Sequence, residues 1–301
     1  MGKIFCIGQS AYDITVPIDE PIVENQKYRV MDKMECGGGP AFNSAYLCGL
    51  WGAQVCLISR IGEDDYGHRL REIASQVHIG MEYLIPDHDI QTPHSFIFSN
   101  RKSGSRTLFN FPGKLKKVDY QYPNEDVAVI LSDGHEPEIS LGAIAAYPDA
   151  VSIVDAGTCR ESTLTVAKKV DYLVCSEDFA RQYTGETMDL SDWESCEKIF
   201  CEIEKINGKQ AVITLGEKGL LYREDGVLKH LPAFKVKAVD TNGAGDIFHG
   251  AFAYGISKGM SLLDILKLSS MASAVSVQTI GGQTSIPKLT VVEENLKNNK
   301  I

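Results

Sequence analysis

Asp240-Thr241-Asn242-Gly243-Ala244-Gly245-Asp246-Ile247-Phe248 sets a small-residue turn and a carboxylate at the point where an apolar helix begins. From Phe248 onward the apolar residues recur at helical spacing, through Ala251, Phe252 and Ile256, so Asp246 falls at or just inside the helix start. The first N–H groups of a helix have no carbonyl partner within it. With the positive end of the helix dipole they favour an anion by about 0.3–1 kcal/mol, rising to ~2 kcal/mol when partly buried. Gly243 and Gly245 permit an approach that side chains would block, and Ala244 is the next smallest choice. The turn therefore suits an oxyanion such as a phosphoryl group. A carboxylate there is placed to accept the proton of an attacking hydroxyl, which makes Asp246 the candidate general base and Gly243, Ala244 and Gly245 the candidate anion hole. The same spacing also fits a plain glycine-rich turn with Asp246 as helix cap.

A second glycine-rich turn, Gly37-Gly38-Gly39-Pro40-Ala41-Phe42-Asn43, precedes another apolar helical run. It offers bare backbone and the Asn43 amide, which both donates to and accepts from hydroxyls, as a polyol would require. Asp13 follows Gly8 closely and is expected at the end of the first strand, where open α/β sheets place ligand contacts; an ionised carboxylate holds two neighbouring hydroxyls. Asn110, before Phe111-Pro112-Gly113, and His135 and Glu136, after an apolar strand, are candidates for the far end of the same substrate. Thr214-Leu215-Gly216-Glu217-Lys218-Gly219 follows the strand-like run 211–213 and offers a hydroxyl and a close backbone to phosphates.

Around these turns, apolar runs at 127–131, 151–154, 172–175 and 211–215 alternate with helix-length amphipathic segments. That alternation predicts a doubly wound, mostly parallel α/β sheet flanked by helices, in a single domain over 1–301. Two segments break it. Residues 27–36 alternate Tyr28, Val30, Asp32 and Met34, and 94–111 reads as a hairpin about Lys102-Ser103-Gly104-Ser105. They predict a small separate sheet, over segments at about 11–36 and 91–113.

With 301 residues, a hydrophobic fraction of 44% and a formal net charge of −10, the chain has the composition of a globular domain whose surface repels nucleic acid and anionic membrane. Lys114, Lys116 and Lys117 form the compact basic run near a candidate site. The first residues enter a strand pattern directly and no run approaches the ~20 apolar residues of a membrane span, so a cytoplasmic location is expected. The 8 cysteines are scattered without a Cys-x-x-Cys pair, which reads as buried reduced thiols rather than a zinc site. An early Gly-x-Gly-x-x-Gly is missing, which argues against a nicotinamide oxidoreductase, and so is Gly-x-x-x-x-Gly-Lys-Ser/Thr.

The first turn resembles the C-terminal signature of the ribokinase-like (phosphofructokinase-B) carbohydrate kinases, Asp-Thr-x-Gly-Ala-Gly-Asp-x-Phe, at every fixed position. Gly38, Gly39 and Asn43 match the first family signature, followed by Gly62-x-Asp64-x-x-Gly67, and Thr214, Gly216 and Gly219 match the nucleotide motif. The resemblance implies an ATP-dependent sugar kinase with a ribokinase-like fold, in which the small sheet forms a lid over the sugar and excludes water that would otherwise take the phosphoryl group. Asp13, Gly38, Gly39 and Asn43 would hold the acceptor, and Thr214, Gly216, Gly219, Gly243 and Gly245 the nucleotide. It further implies Mg2+, a monovalent cation such as K+ near Asp240, Asn242, Ser276, Thr279, Gly281 and Ser285, and a homodimer through the lid. One departure concerns magnesium. The family carries Asn-x-x-Glu where this chain has Ser176-Glu177-Asp178-Phe179, which leaves Glu177 as an indirect magnesium partner.

The acceptor stays open. Lys27 and Asn110 stand where some branches meet an anionic tail, as in kinases of phosphorylated or sulfonated ketohexoses, while His135 replaces an expected arginine. A ketohexose-type acceptor is the first expectation, with a sugar acid or a nucleoside as alternatives. A ligand-binding regulator on a kinase fold is the alternative from another class.

Overall fold

Apolar runs of four to six residues, buried on both faces, build a large sheet in the computed structural model, which describes residues 2–87, 90–102, 105–113 and 118–299. The basic run 114–117, and Ser103 and Gly104 of the expected hairpin turn, lie outside these. In chain order the first half contains β1 (Lys3–Ile7), β2 (Ala11–Ile18), β3 (Met34–Gly38), α1 (Pro40–Leu50), β4 (Val55–Ile58), β5 (Arg60–Gly62), α2 (Asp65–Ser75), β6 (Ile85–Asp87), β7 (His94–Asn100) and β8 (Arg106–Phe111). The second half alternates β9 (Val127–Ser132), α3 (Pro137–Ala146), β10 (Val151–Ala156), α4 (Glu161–Ala167), β11 (Tyr172–Ser176), α5 (Glu177–Thr184), α6 (Trp193–Asn207) and β12 (Gln210–Thr214). The hairpin β13 (Leu220–Glu224) and β14 (Val227–Leu231) and helices α7 (Ala244–Ser257), α8 (Leu262–Ser276) and α9 (Leu289–Asn298) complete it.

The eight-stranded sheet has the order β14-β13-β12-β11-β10-β9-β1-β4. Strands β4 through β12 pair in parallel, and β13 and β14 close one edge antiparallel. The chain goes from β1 to β4 on one side and later fills β9 to β12 on the other, so the order reverses between β1 and β9. A crevice opens at such a switch point, beyond the carboxyl ends of the strands.

On one face α1, α7 and α8 bury Phe42, Leu47, Phe252, Ile247 and Leu266; on the other α4, α5 and α6 bury Val166, Phe179, Phe200 and Ile203. Helices α1 and α7 approach closely because position 250 is glycine. A Cβ there would lie 3.0 Å from both Cα and O of Ser44. Ser44 Oγ donates to the Asp246 carbonyl at 3.0 Å and the Cys48 thiol to the Gly250 carbonyl at 3.3 Å, so the two glycine-rich turns are held side by side.

The separate sheet expected from the sequence, hereafter the lid sheet, is four-stranded, in the order β3-β2-β7-β8; β5 and β6 make a further two-stranded pair. Two readings change. The alternation over 27–36 forms a strand only from Met34, because β2 pairs with β3 no further than Thr15–Met34. With no partner strand, residues 27–33 stay irregular and exposed, Met31 at 91%. Asp13 lies inside β2 of the lid rather than at the end of β1.

Candidate active site

The turn at 240–246 folds as its residues dictate. Gly243 is the residue before α7 and adopts φ 74°, a left-handed conformation open to glycine, and its side-chain-free cap leaves Asp246 in the first helical turn. Asp246 is therefore not the helix cap. Its Oδ2 accepts a hydrogen bond from Asn43 Nδ2 at 2.7 Å, which joins the two glycine-rich signatures in one site. The amide of Ala244 is turned to the Thr241 carbonyl at 3.3 Å, so the turn's donors without a partner among the described residues are those of Gly243, Gly245 and Asp246. A Cβ on Gly245 would meet nothing within 4 Å, so that side of the turn borders open space.

Asp246 keeps part of its surface open to the cleft while protein packs round its carboxylate. Burial, and then the negative charge of Asp155, push its pKa up to about 7, against the hydrogen bond from Asn43 and the proximity of His249. A carboxylate titrating there is far better matched to deprotonating an alcohol at neutral pH than an ordinary Asp of about 3.9.

Asp13 lies in the small sheet beside the glycine-rich turn at 37–39. The register pairs Asp13 with Cys36 on one side and Ser95 on the other, and Ser95 with Asn110, so Asp13, Ser95 and Asn110 form one rung on one face. The backbone of Gly38 runs so close that a Cβ there would sit 2.2 Å from Asp13 Oδ2. Burial raises the Asp13 carboxyl pKa, and the Ser95 hydrogen bond partly offsets it. Gly39, the cap of α1, presses against the Gln9 carbonyl. The Oδ1 of Asn43 is buried with no partner among the described residues.

Asp133 ties this region to the switch point. Its Oδ2 accepts from the amides of Gln9 at 2.7 Å and Ala41 at 3.3 Å, and its Oδ1 from the amide of His135 at 2.9 Å. Burial works against its charge, but His135 and these hydrogen bonds hold its pKa below the usual range. His135 lies beside Asp133, and its Nε2 is 2.7 Å from Arg160 Nη1. Glu136 is buried and paired with Arg60 at 2.7 Å, which engages it structurally. Lys27 stands on the exposed segment, and no hydrogen bond or ion pair joins it to the other candidates among the described residues.

At the carboxyl end of β12, Thr214 Oγ1 donates to the Cys175 carbonyl at 3.2 Å, so its hydroxyl proton is already engaged. Gly216 has φ 59° with open space beside it, whereas a Cβ on Gly219 would strike the Leu231 carbonyl at 2.1 Å. Glu177 pairs with Lys218 at 2.7 Å, and Phe179, where the family carboxylate would stand, is fully buried. Among the described residues no group of three or more His, Cys, Asp or Glu side chains could hold a metal ion. Magnesium keeps most of its waters and travels with a nucleotide's phosphates.

Of the candidate monovalent-cation ligands, Asp240 receives the amides of Asn242 at 3.0 Å and Gly281 at 2.9 Å, and the Arg106 guanidinium from the lid at 3.3 Å. The Ser276 hydroxyl donates to the Ser273 carbonyl, the Ser276 carbonyl accepts from the Thr279 amide, and the Ser285 hydroxyl donates to the Gly282 carbonyl. The Asp240 carboxylate is thus engaged by two backbone amides and by an arginine of the small sheet in this structure. A cavity lined by residues 122–127 and 146–150 lies at the amino ends of β9 and β10, and none of the site residues lines it.

Sequence reading missed Ser95, Asp133, Asp155 and His249. Ser95 is signalled by the hairpin register opposite Asn110; the other three carry no local signal. No helix among the described residues is long and apolar enough to cross a membrane.

A pfkB family carbohydrate kinase model matches residues 1–289. A ribokinase of Lactococcus lactis is 32% identical over 320 aligned residues, covering 100% of this chain and 99% of its own. The solved ribokinase of Thermotoga maritima superposes with a TM-score of 0.85 at 28% identity, over 99% of this chain and 100% of that one. The Arabidopsis thaliana ribokinase solved with ribose and ATP shares the fold, with a TM-score of 0.85 at 20% identity, over 98% and 99% of the two chains. The joined signatures and these relatives agree: the chain belongs to the pfkB family of ribokinase-like carbohydrate kinases, and it is a carbohydrate kinase.

Proposed function

We propose that the protein transfers the γ-phosphoryl group of ATP to a primary hydroxyl of a small sugar, with Asp246 as general base. The observation that carries this is the Asn43–Asp246 hydrogen bond of 2.7 Å, which unites a hydroxyl-binding amide with the carboxylate at a helix start. Asp13, Ser95 and Asn110 on the lid, with the backbone at Gly38 and Gly39, hold the sugar and aim its hydroxyl at Asp246. The free amides of Gly243, Gly245 and Asp246 then meet the phosphoryl oxygens, where each such donor is worth ~10²–10³ in rate. Gly216 and Gly219 line the nucleotide, whose phosphate charge magnesium shields when bound. Positioning and charge stabilisation supply most of the acceleration.

For the acceptor, a small neutral sugar is the reading best supported. The named relative is a ribokinase, and Lys27, on which an anionic tail would depend, stands apart from the site. A pentose therefore takes precedence over the ketohexose expected from sequence. An acceptor with an anionic end is a second reading, favoured by Arg160 beside His135. The exposed Phe109 and Phe111 on the outer lid face support a homodimer there, which sedimentation would check.

The test is ADP release with Mg-ATP, with and without potassium, over pentoses, ketohexoses, sugar acids, sugar phosphates and nucleosides. Acceptor-dependent turnover is expected, strongest for a neutral sugar. ATP binding with no turnover on any acceptor would instead favour the regulator.

A further inference from the structure

His249 lies in the apolar spacing of α7, one turn beyond Asp246, and is only 4% exposed. Its Nδ1 is 2.7 Å from the Gly245 carbonyl and 3.2 Å from Asp155 Oδ2, and its Nε2 is 3.1 Å from the Val174 carbonyl of β11. A carbonyl oxygen only accepts, so both ring nitrogens face acceptors and both must donate. A neutral ring would leave one lone pair pointing at a carbonyl in a buried site, a costly arrangement. The doubly protonated ring satisfies every contact, and Asp155, itself buried, supplies the counter-charge.

The contact to Gly245 reaches the reaction site directly. In a planar trans peptide the carbonyl of Gly245 and the N–H of Asp246 point in opposite directions. Holding the carbonyl from below therefore fixes the direction of the Asp246 N–H, one of the free donors of the turn, and polarises it. The positive ring also stands three residues from Asp246 on the same helix face, where side chains are neighbours.

We infer that His249 is carried as an imidazolium paired with Asp155, and that it is a positioning element which keeps the Gly245–Asp246 peptide aimed at the phosphoryl group and counters the negative charge of Asp155 beside Asp246. This rests on Asp246 being the base. The charged and titratable groups facing the pair are Asp133 and His135 at the end of β9, Arg160 before α4, and Asp246. Burial raises Asp155 and His249 opposes that; for Asp246, burial and Asp155 act upward while His249 acts downward.

Two measurements test it. In protein labelled with 15N-histidine, the His249 ring, assigned among the seven histidines by its loss in His249→Asn, should show both nitrogens protonated at pH 7.5. In the pH profile of kcat/KM for the sugar at saturating Mg-ATP, His249→Asn should move the acid limb upward by about one unit, the lower end of the effect of a neighbouring charge. Removing a positive neighbour makes ionised Asp246 less favourable, so the base needs a higher pH to lose its proton. A neutral ring in the wild type, or an unmoved limb in a folded, active His249→Asn enzyme, overturns the inference. Should that variant not fold, the wild-type ring signal decides alone. Should the protein turn over no sugar, the proposed function fails while the ring signal still judges the charge assignment.

Discussion

Replacing Gly38 by alanine separates the lid carboxylate's role from the backbone's. The added Cβ would lie 2.2 Å from Oδ2, 2.6 Å from Cγ and 3.0 Å from Oδ1 of Asp13. Gly38 is not among the residues of positive φ, so alanine fits its backbone and the strain falls on the carboxylate. To reach ordinary contact the Asp13 oxygen must retreat by about 1 Å, away from the rung it shares with Ser95 and Asn110. A misplacement of that size costs roughly 10²-fold in an oriented reaction, or about 2.7 kcal/mol in the transition state. Crowding a packed strand adds a stability loss of about 1–3 kcal/mol. Steady-state kinetics should show kcat/KM for the sugar down about 100-fold, with the affinity for Mg-ATP unchanged. Because the damage runs through Asp13, Gly38→Ala combined with Asp13→Ala should be little worse than Asp13→Ala alone. A folded Gly38→Ala enzyme within about threefold of wild type, or losses that simply add, would refute this reasoning.

Three further outcomes follow from the same geometry. Gly245→Ala meets no protein atom within 4 Å, so thermal melting should be unchanged or slightly raised, while turnover falls at least ~10-fold because the methyl group enters the anion's space. Phe179→Glu, which restores the family's carboxylate, should destabilise by about 3 kcal/mol or more in urea unfolding, since the position is fully buried. Asp246→Asn should melt higher than wild type at pH 8, with the advantage shrinking towards pH 4. The folded pKa of about 7 lies above the unfolded ~3.9, so ionising Asp246 opposes folding progressively between those values and constantly above them.

The turn at 243–246 was legible because its shape follows from its own residues: a glycine cap at positive φ and an acid in the first helical turn. The strands of the main sheet were legible for a similar reason, as continuous apolar runs bounded by turns. Residues 27–33 were not, because alternation alone does not supply a partner, and the pairing of β2 ends at Thr15. Asp13 was assigned to the wrong strand, since a short break at 8–10 separates β1 from β2. His249 was hidden for a different reason. Its apolar spacing reads as core, and what makes it polar chemistry, the carbonyl of Val174 and the carboxylate of Asp155, arrives from strands some 75 and 94 residues away in the chain. Glu136 shows the converse, a plausible ligand by position that tertiary packing commits to Arg60.

The most direct test of the central claim is single-turnover phosphoryl transfer by Asp246→Asn, with Mg-ATP affinity measured on the same protein. The account predicts unchanged nucleotide binding and a transfer rate lower by at least ~10²-fold, the lower end of a general base's contribution. Transfer at close to the wild-type rate would contradict it.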